Sequence, residues 1–205
     1  MMSHSPAAMI SIALFGTSAD PPHQGHRAIL SWLATQFDHV AVWVANNPFK
    51  QHQSDLSDRV RMLELLIEGI HSERVQLHPE LSHMRSIVSI ERAKAIWPEA
   101  KFTLVVGADL VSQLPSWHRA ADIFAAVDIL VAPRPGYALK EYDLQALRSQ
   151  ARVTLGVMPE QHDVSSTRAR QDEDEVALPA AIQAYIHQHK LYSCQDDSKR
   201  KLSMR

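Results

Sequence analysis

A single cysteine in 205 residues, Cys194, has no partner for an intrachain disulfide and argues against a secreted, cross-linked scaffold. Neither sign of charge dominates. With 21 Lys and Arg against 23 Asp and Glu, the formal net charge of -2 gives no general attraction for nucleic acid or an anionic membrane, so an anion must be held by local positive groups. No apolar run approaches the ~20 residues needed to cross a bilayer. Residues 1–9 also lack the basic start and apolar core of a secretory signal. There is no internal repeat, no complete Gly-x-Gly-x-x-Gly fingerprint, no cysteine pair and no His-Glu-x-x-His helix, and the last two absences remove the usual zinc patterns. These absences leave a cytoplasmic protein with a small-molecule partner, no nucleic-acid or membrane partner and no assigned metal ligand. A homo-oligomer is left open.

At 45% hydrophobic content the chain is long enough for one well-buried core, and a single domain is expected over residues 9–193, with mobile tails at 1–8 and 194–205. Apolar runs at 10–15, 40–45, 102–106, 129–132 and 153–157 show little polar alternation, as strands covered on both faces do. A weaker strand is expected at 74–77. Between them lie helical spacings: Ala28, Leu30 and Leu33, then Leu56, Val60, Leu63, Leu66 and Ile67, then residues 87–96. A last helix at 179–189, begun by Pro179 and carrying Ile182, Tyr185 and Ile186 on one face, is expected to lie as a lid on the sheet. This alternation reads as α/β, a Rossmann-like three-layer sandwich with a mostly parallel sheet and a C-terminal helical region.

After the first run comes Gly16-Thr17-Ser18-Ala19-Asp20-Pro21-Pro22-His23-Gln24-Gly25-His26, which reads as a turn, two imidazoles and a helix start at a strand end. That is where α/β proteins bind polyphosphates. Gly16 and the Pro21-Pro22 pair are expected to force the chain out of the strand and free backbone N–H groups, and Gly25 to keep the first helical turn unobstructed. His23 and His26 fall on neighbouring positions and can both face one cluster of phosphate oxygens. The bland alternative is two surface histidines among the 12 in the chain.

Five more places carry candidate chemistry. Ser165-Ser166-Thr167 can cap a helix and hold a second phosphate, with Arg170 one turn on, or it can be an ordinary capped surface helix. Asp109 follows a glycine at a strand end, where open sheets present ligand-binding groups, and it fits equally an N-cap for the next segment. Trp117 comes after Pro115-Ser116, outside any periodic apolar face, which suits a flat platform for a ring as well as a core aromatic. Arg134, between Pro133 and Pro135, is either a fork for a phosphate or a surface arginine. Lys50, in Asn46-Asn47-Pro48-Phe49-Lys50, also follows a strand end.

Taken together these blocks resemble a known family. His23-Gln24-Gly25-His26 is similar to the His-x-Gly-His signature of the nucleotidylyltransferases, which move a nucleotidyl group from a triphosphate onto a phosphate. Val106-Gly107-Ala108-Asp109 with Leu114-Pro115-Ser116-Trp117, then Arg134-Pro135-Gly136, then Val164-Ser165-Ser166-Thr167-Arg168-Ala169-Arg170 follow the order and spacing of the bacterial nicotinate-mononucleotide adenylyltransferases. The resemblance spans roughly residues 10–192. It implies transfer of AMP from ATP to nicotinate mononucleotide, giving nicotinate adenine dinucleotide and pyrophosphate, in NAD biosynthesis. The implied roles are charge stabilisation by His23, His26 and Arg170, and ATP contacts by Gly16, Thr17, Ser18, Gly25, Asp109, Ser165, Ser166 and Thr167. For the mononucleotide they are stacking of Trp117 on the nicotinate ring and contacts from Arg134, Lys50 and Arg85. Mg²⁺ is implied as a cofactor held mainly by ATP phosphates and water.

The chain departs from the family in three places. Gly16-Thr17-Ser18-Ala19-Asp20-Pro21 stands where Gly-Gly-Thr-Phe-Asp-Pro is usual, so Thr17 brings a Cβ and a hydroxyl to a glycine position. Arg85-Ser86-Ile87-Val88 replaces a Pro-Ser-Tyr-Thr stretch, leaving ring recognition to Trp117, backbone amides and Arg85. His118-Arg119 is more basic than usual and favours an acid-bearing ring. Because Ile87 and Val88 stand where polar contacts are usual, nicotinamide mononucleotide is an alternative acceptor. A superfamily member acting on phosphopantetheine or a cytidylyl acceptor has no reason to keep Trp117 and Arg134-Pro135-Gly136. A non-catalytic nucleotide-binding module predicts ATP binding without pyrophosphate release.

Overall fold

The apolar runs fold as strands β1 (Ser11–Thr17), β2 (His39–Val44), β3 (Val75–Leu77), β4 (Lys101–Gly107), β5 (Asp128–Ala132) and β6 (Val153–Leu155). This is seen in a computed structural model describing residues 9–46, 54–158, 164, 166–170 and 177–192. Strand order is β3-β2-β1-β4-β5-β6, and every pairing in it is parallel. The chain therefore winds outward from β1 through β3 and then crosses back to build β4 to β6 on the other side, with its switch point between β1 and β4.

The intervening segments are α1 (Gln24–Gln36), α2 (Leu56–Glu68), α3 (Ser86–Ile96), α4 (Ala120–Ala126), α5 (Glu141–Arg148), α6 (Ser166–Arg170) and α7 (Ala180–His189). Alternate residues of β1 enter two separate cores: Ile12 and Leu14 join Ile87, Ile90, Ile123 and Leu147, while Ala13 and Phe15 join Leu30, Leu33, Met62, Leu63 and Ile182. Both faces of the sheet are thus covered, which is why its strands lack polar alternation. No described helix is long and apolar enough to cross a membrane.

Three expectations need correction. Gly16 does not end the strand: it lies within β1, in register with Trp43, and the strand runs on through Thr17. A Cβ at Gly16 would sit 2.7 Å from the Trp43 ring, so this glycine makes room for an indole. The buried stripe of α2 is Arg59, Met62, Leu63 and Leu66, with Val60 and Ile67 packed against the same core, and of the expected positions Leu56 alone is exposed. Helix α7 packs beside α2, its Ile182 fully buried, and so extends a helical layer where a lid was expected. Pro179 is its N-cap. Lys50, Ser165, Cys194 and the two tails lie outside the described residues.

The sheet divides where the site is expected. β1 pairs with β2 through Thr17↔Val44, and β4 with β5 through Gly107↔Ala132. The β1–β4 ladder stops at Leu14↔Leu104, three residues before either strand ends. A crevice opens between the C-terminal ends of the two central strands.

Candidate active site

One wall of the crevice is the end of β1 and the loop that follows. The chain turns at Ala19, buried and with a left-handed φ of 48°, and passes through a cis Asp20-Pro21 bond to His23, the N-cap of α1. The His23 backbone N–H donates to His26 Nδ1 at 3.1 Å. In the neutral ring the proton is then on Nε2, which donates to Thr17 Oγ1 at 2.9 Å. His26 joins the strand end to the helix start. The rings of His23 and His26 lie 3.9 Å apart, tilted by 47°, and both residues are half-buried. Gly25 has a steric reason: a Cβ there would lie 3.0 Å from the His23 ring and 3.2 Å from Val164.

Helix α6 docks onto this wall. Ser166 Oγ donates to the Pro21 carbonyl at 2.9 Å, the Arg170 guanidinium donates to the Asp20 carbonyl, and a second Arg170 nitrogen reaches Thr167 Oγ1 at 3.3 Å. Two blocks about 145 residues apart in the chain thus meet at one loop.

The other wall is built at the ends of β4 and β5. Asp109 lies inside a 3-10 turn capped by Gly107, so the N-cap alternative for Asp109 does not hold. Its carboxylate folds back so closely that a Cβ on Gly107 would stand 2.5 Å from Oδ1, and it pairs with Arg134. Arg134 opens a turn closed by a 3.1 Å bond from Tyr137 N–H to its carbonyl, with Pro135 and left-handed Gly136 (φ 74°) at the centre, as a type II turn requires. Trp117 caps a second 3-10 turn and is half-buried against the α3-side core. Next to it His118 Nε2 accepts from Arg85 at 3.1 Å, and Arg85 is the N-cap of α3. Ile87 and Val88, which replace polar residues of the family pattern, pack into or against that core.

Asp20, Ser54 and Arg59 escaped the sequence reading, and all three are buried polar residues. Arg59 donates to the Ser18 carbonyl at 3.2 Å and to that of Ala45 at 3.4 Å. Burial lowers the pKa of its guanidinium, against the opposing pull of Asp20. A charged residue on the apolar stripe of α2 was the available signal.

Residues 14–172 match the family model for cytidylyltransferase-like proteins. The chain is 42% identical to a probable nicotinate-nucleotide adenylyltransferase of Synechocystis sp., over 89% of this chain and 99% of that protein. It is 32% identical to one so named from Bacillus pumilus, over 90% and 99%. The chain belongs to the nicotinate-nucleotide adenylyltransferase family. A solved nicotinic acid mononucleotide adenylyltransferase of Plasmodium falciparum, complexed with NaAD, superposes with a TM-score of 0.79 at 16% identity, covering 91% of this chain and 98% of that one. That likeness establishes the fold. At the position where the nicotinate-nucleotide adenylyltransferase pattern has glycine, the Thr17 hydroxyl of this chain accepts a hydrogen bond from His26.

Proposed function

We propose that the protein transfers AMP from ATP to the 5′-phosphate of nicotinate mononucleotide, forming nicotinate adenine dinucleotide and releasing pyrophosphate, in the cytoplasm. The observation that carries this reading is the split between β1 and β4, with the His23–His26 wall on one side and the Asp109–Arg134 wall on the other. A phosphate oxygen of the mononucleotide attacks the α-phosphorus in line as the bond to the bridging oxygen of pyrophosphate breaks. The nucleophile is ionised at neutral pH, so positioning and charge stabilisation supply the rate. His23, His26 and Arg170 face the transferring group; Gly16, Thr17, Ser18, Gly25, Ser166 and Thr167 contact ATP, with Ser165, and Asp109 contacts it from the opposite wall. Mg²⁺ enters with ATP, held mainly by its phosphates and water.

Trp117 carries the pyridine ring, Arg134 and Lys50 serve the mononucleotide, and Arg85 with His118 favours a ring bearing a carboxylate. A coupled pyrophosphate assay with ATP and either nicotinate or nicotinamide mononucleotide tests this. Release with the nicotinate compound, at a kcat/KM at least about tenfold above the amide, is the expected result. No release with either compound overturns the reading.

A further inference from the structure

Behind the loop of residues 18–21 lies a buried polar cluster that has no part in the chemistry assigned above. Tyr192 follows α7 by way of two non-glycine residues in the left-handed region, Lys190 (φ 52°) and Tyr192 itself (φ 66°), and Leu191 N–H turns back to the Ile186 carbonyl at 3.0 Å. Such a backbone is held only when its surroundings over-determine it. Here it delivers the phenol to Asp20. The Tyr192 hydroxyl donates to Asp20 Oδ1 at 2.8 Å, Ser54 Oγ donates to the same oxygen at 2.6 Å, and the two hydroxyls are 3.0 Å apart. Asp20 is only 4% exposed, and burial, with Asp20 beside it, raises the pKa of the phenol, so Tyr192 stays a donor.

Asp20 and Tyr192 are 172 residues apart in the chain, and their bond ties the segment that follows α7 to the loop between Thr17 and His23. Arg59 holds the same loop at Ser18, and Arg170 and Ser166 hold it at Asp20 and Pro21. We propose that Tyr192 is a positioning residue for adenylyl transfer: through the Asp20 carboxylate it fixes the backbone of residues 18–21, and so the placement of Thr17 and His23 toward ATP. Its kinetic part rests on the reaction proposed above.

The test compares Tyr192→Phe with Tyr185→Phe in the full chain. Tyr185 is on the same C-terminal segment, but its hydroxyl donates to Asp58 of α2 at 2.8 Å, so its loss costs a similar hydrogen bond without touching the loop contact. In Tyr192→Phe, amide exchange at Ser18, Ala19 and Asp20 rises about tenfold. Its KM for ATP rises roughly five- to tenfold, while KM for the mononucleotide stays within about twofold. Tyr185→Phe lowers the thermal midpoint comparably and changes neither readout. Unchanged exchange in Tyr192→Phe, raised exchange with an unchanged KM for ATP, or the same changes in Tyr185→Phe would each overturn the proposal. A wild-type protein that releases no pyrophosphate defeats the assigned reaction, while the exchange comparison still decides whether Tyr192 fixes the loop.

Discussion

His26 makes two bonds from one ring, and its removal separates chemistry from folding. Without it, the Thr17 hydroxyl and the His23 backbone N–H both lose a partner, while the only core ring it touches is Phe15, edge-on at 6.4 Å, among the described residues. His26→Ala should lower kcat by about 10² while the thermal midpoint moves by no more than a few degrees. Near-normal turnover would remove His26 from the reaction. Trp117 is a different case, because it is partly buried against the core. Trp117→Ala should raise KM for nicotinate mononucleotide about tenfold or more and leave KM for ATP within about twofold. An equal rise for both substrates would assign the ring to packing alone.

At the scale of elements, the two glycines of the first strand-to-helix connection answer to different neighbours. Gly16→Ala pushes a methyl into the Trp43 indole and should cost about 1–3 kcal/mol in denaturant unfolding, a loss partly restored by Trp43→Leu. Gly25→Ala presses on the His23 ring and should lower kcat with little change in stability. Much of this was legible beforehand. Uninterrupted apolar runs marked the strands, since a strand buried on both faces has no polar side to show. The family blocks singled out His23, His26, Asp109, Trp117 and Arg134, which all follow the C-terminal ends of β1, β4 and β5. The reason for Gly16 was hidden because it belongs to Trp43, across a strand pair. Helices α4 and α5, of 7 and 8 residues, fall short of the roughly 11–18-residue window over which a helical period is counted. On α2 the expected Leu63 and Leu66 are buried, but the face begins at Arg59 and not at Leu56, because an arginine gives no apolar signal. The bond from Asp20 to Tyr192 leaves no periodic trace at all, because it joins residues 172 apart in the chain.

For the whole molecule, acid stability should depend on a cluster away from the crevice. His39 Nε2 and His78 Nε2 are 3.0 Å apart, both rings contact Trp97, and His78 Nδ1 is bonded to Glu80 at 2.8 Å. Burial, and then the charge of His78, lowers the pKa of His39 below the ordinary 6.5. Below that value the unfolded chain binds the proton more readily than the folded one. This stabilisation is therefore complete above pH 6.5 and is lost as pH falls through the lower folded value. Thermal midpoints measured between about pH 7.5 and about pH 5 should fall less in His39→Leu than in the wild type; equal slopes would discount His39. The interrupted ladder between β1 and β4 has a consequence beyond catalysis. An unpaired strand margin on the outside of a sheet invites a foreign strand and, with it, aggregation. Here the two bare margins look at each other from the middle of the sheet, sheltered from other chains by their own neighbours, so the fold can keep raw backbone donors and acceptors within reach of a nucleotide without offering them to another polypeptide.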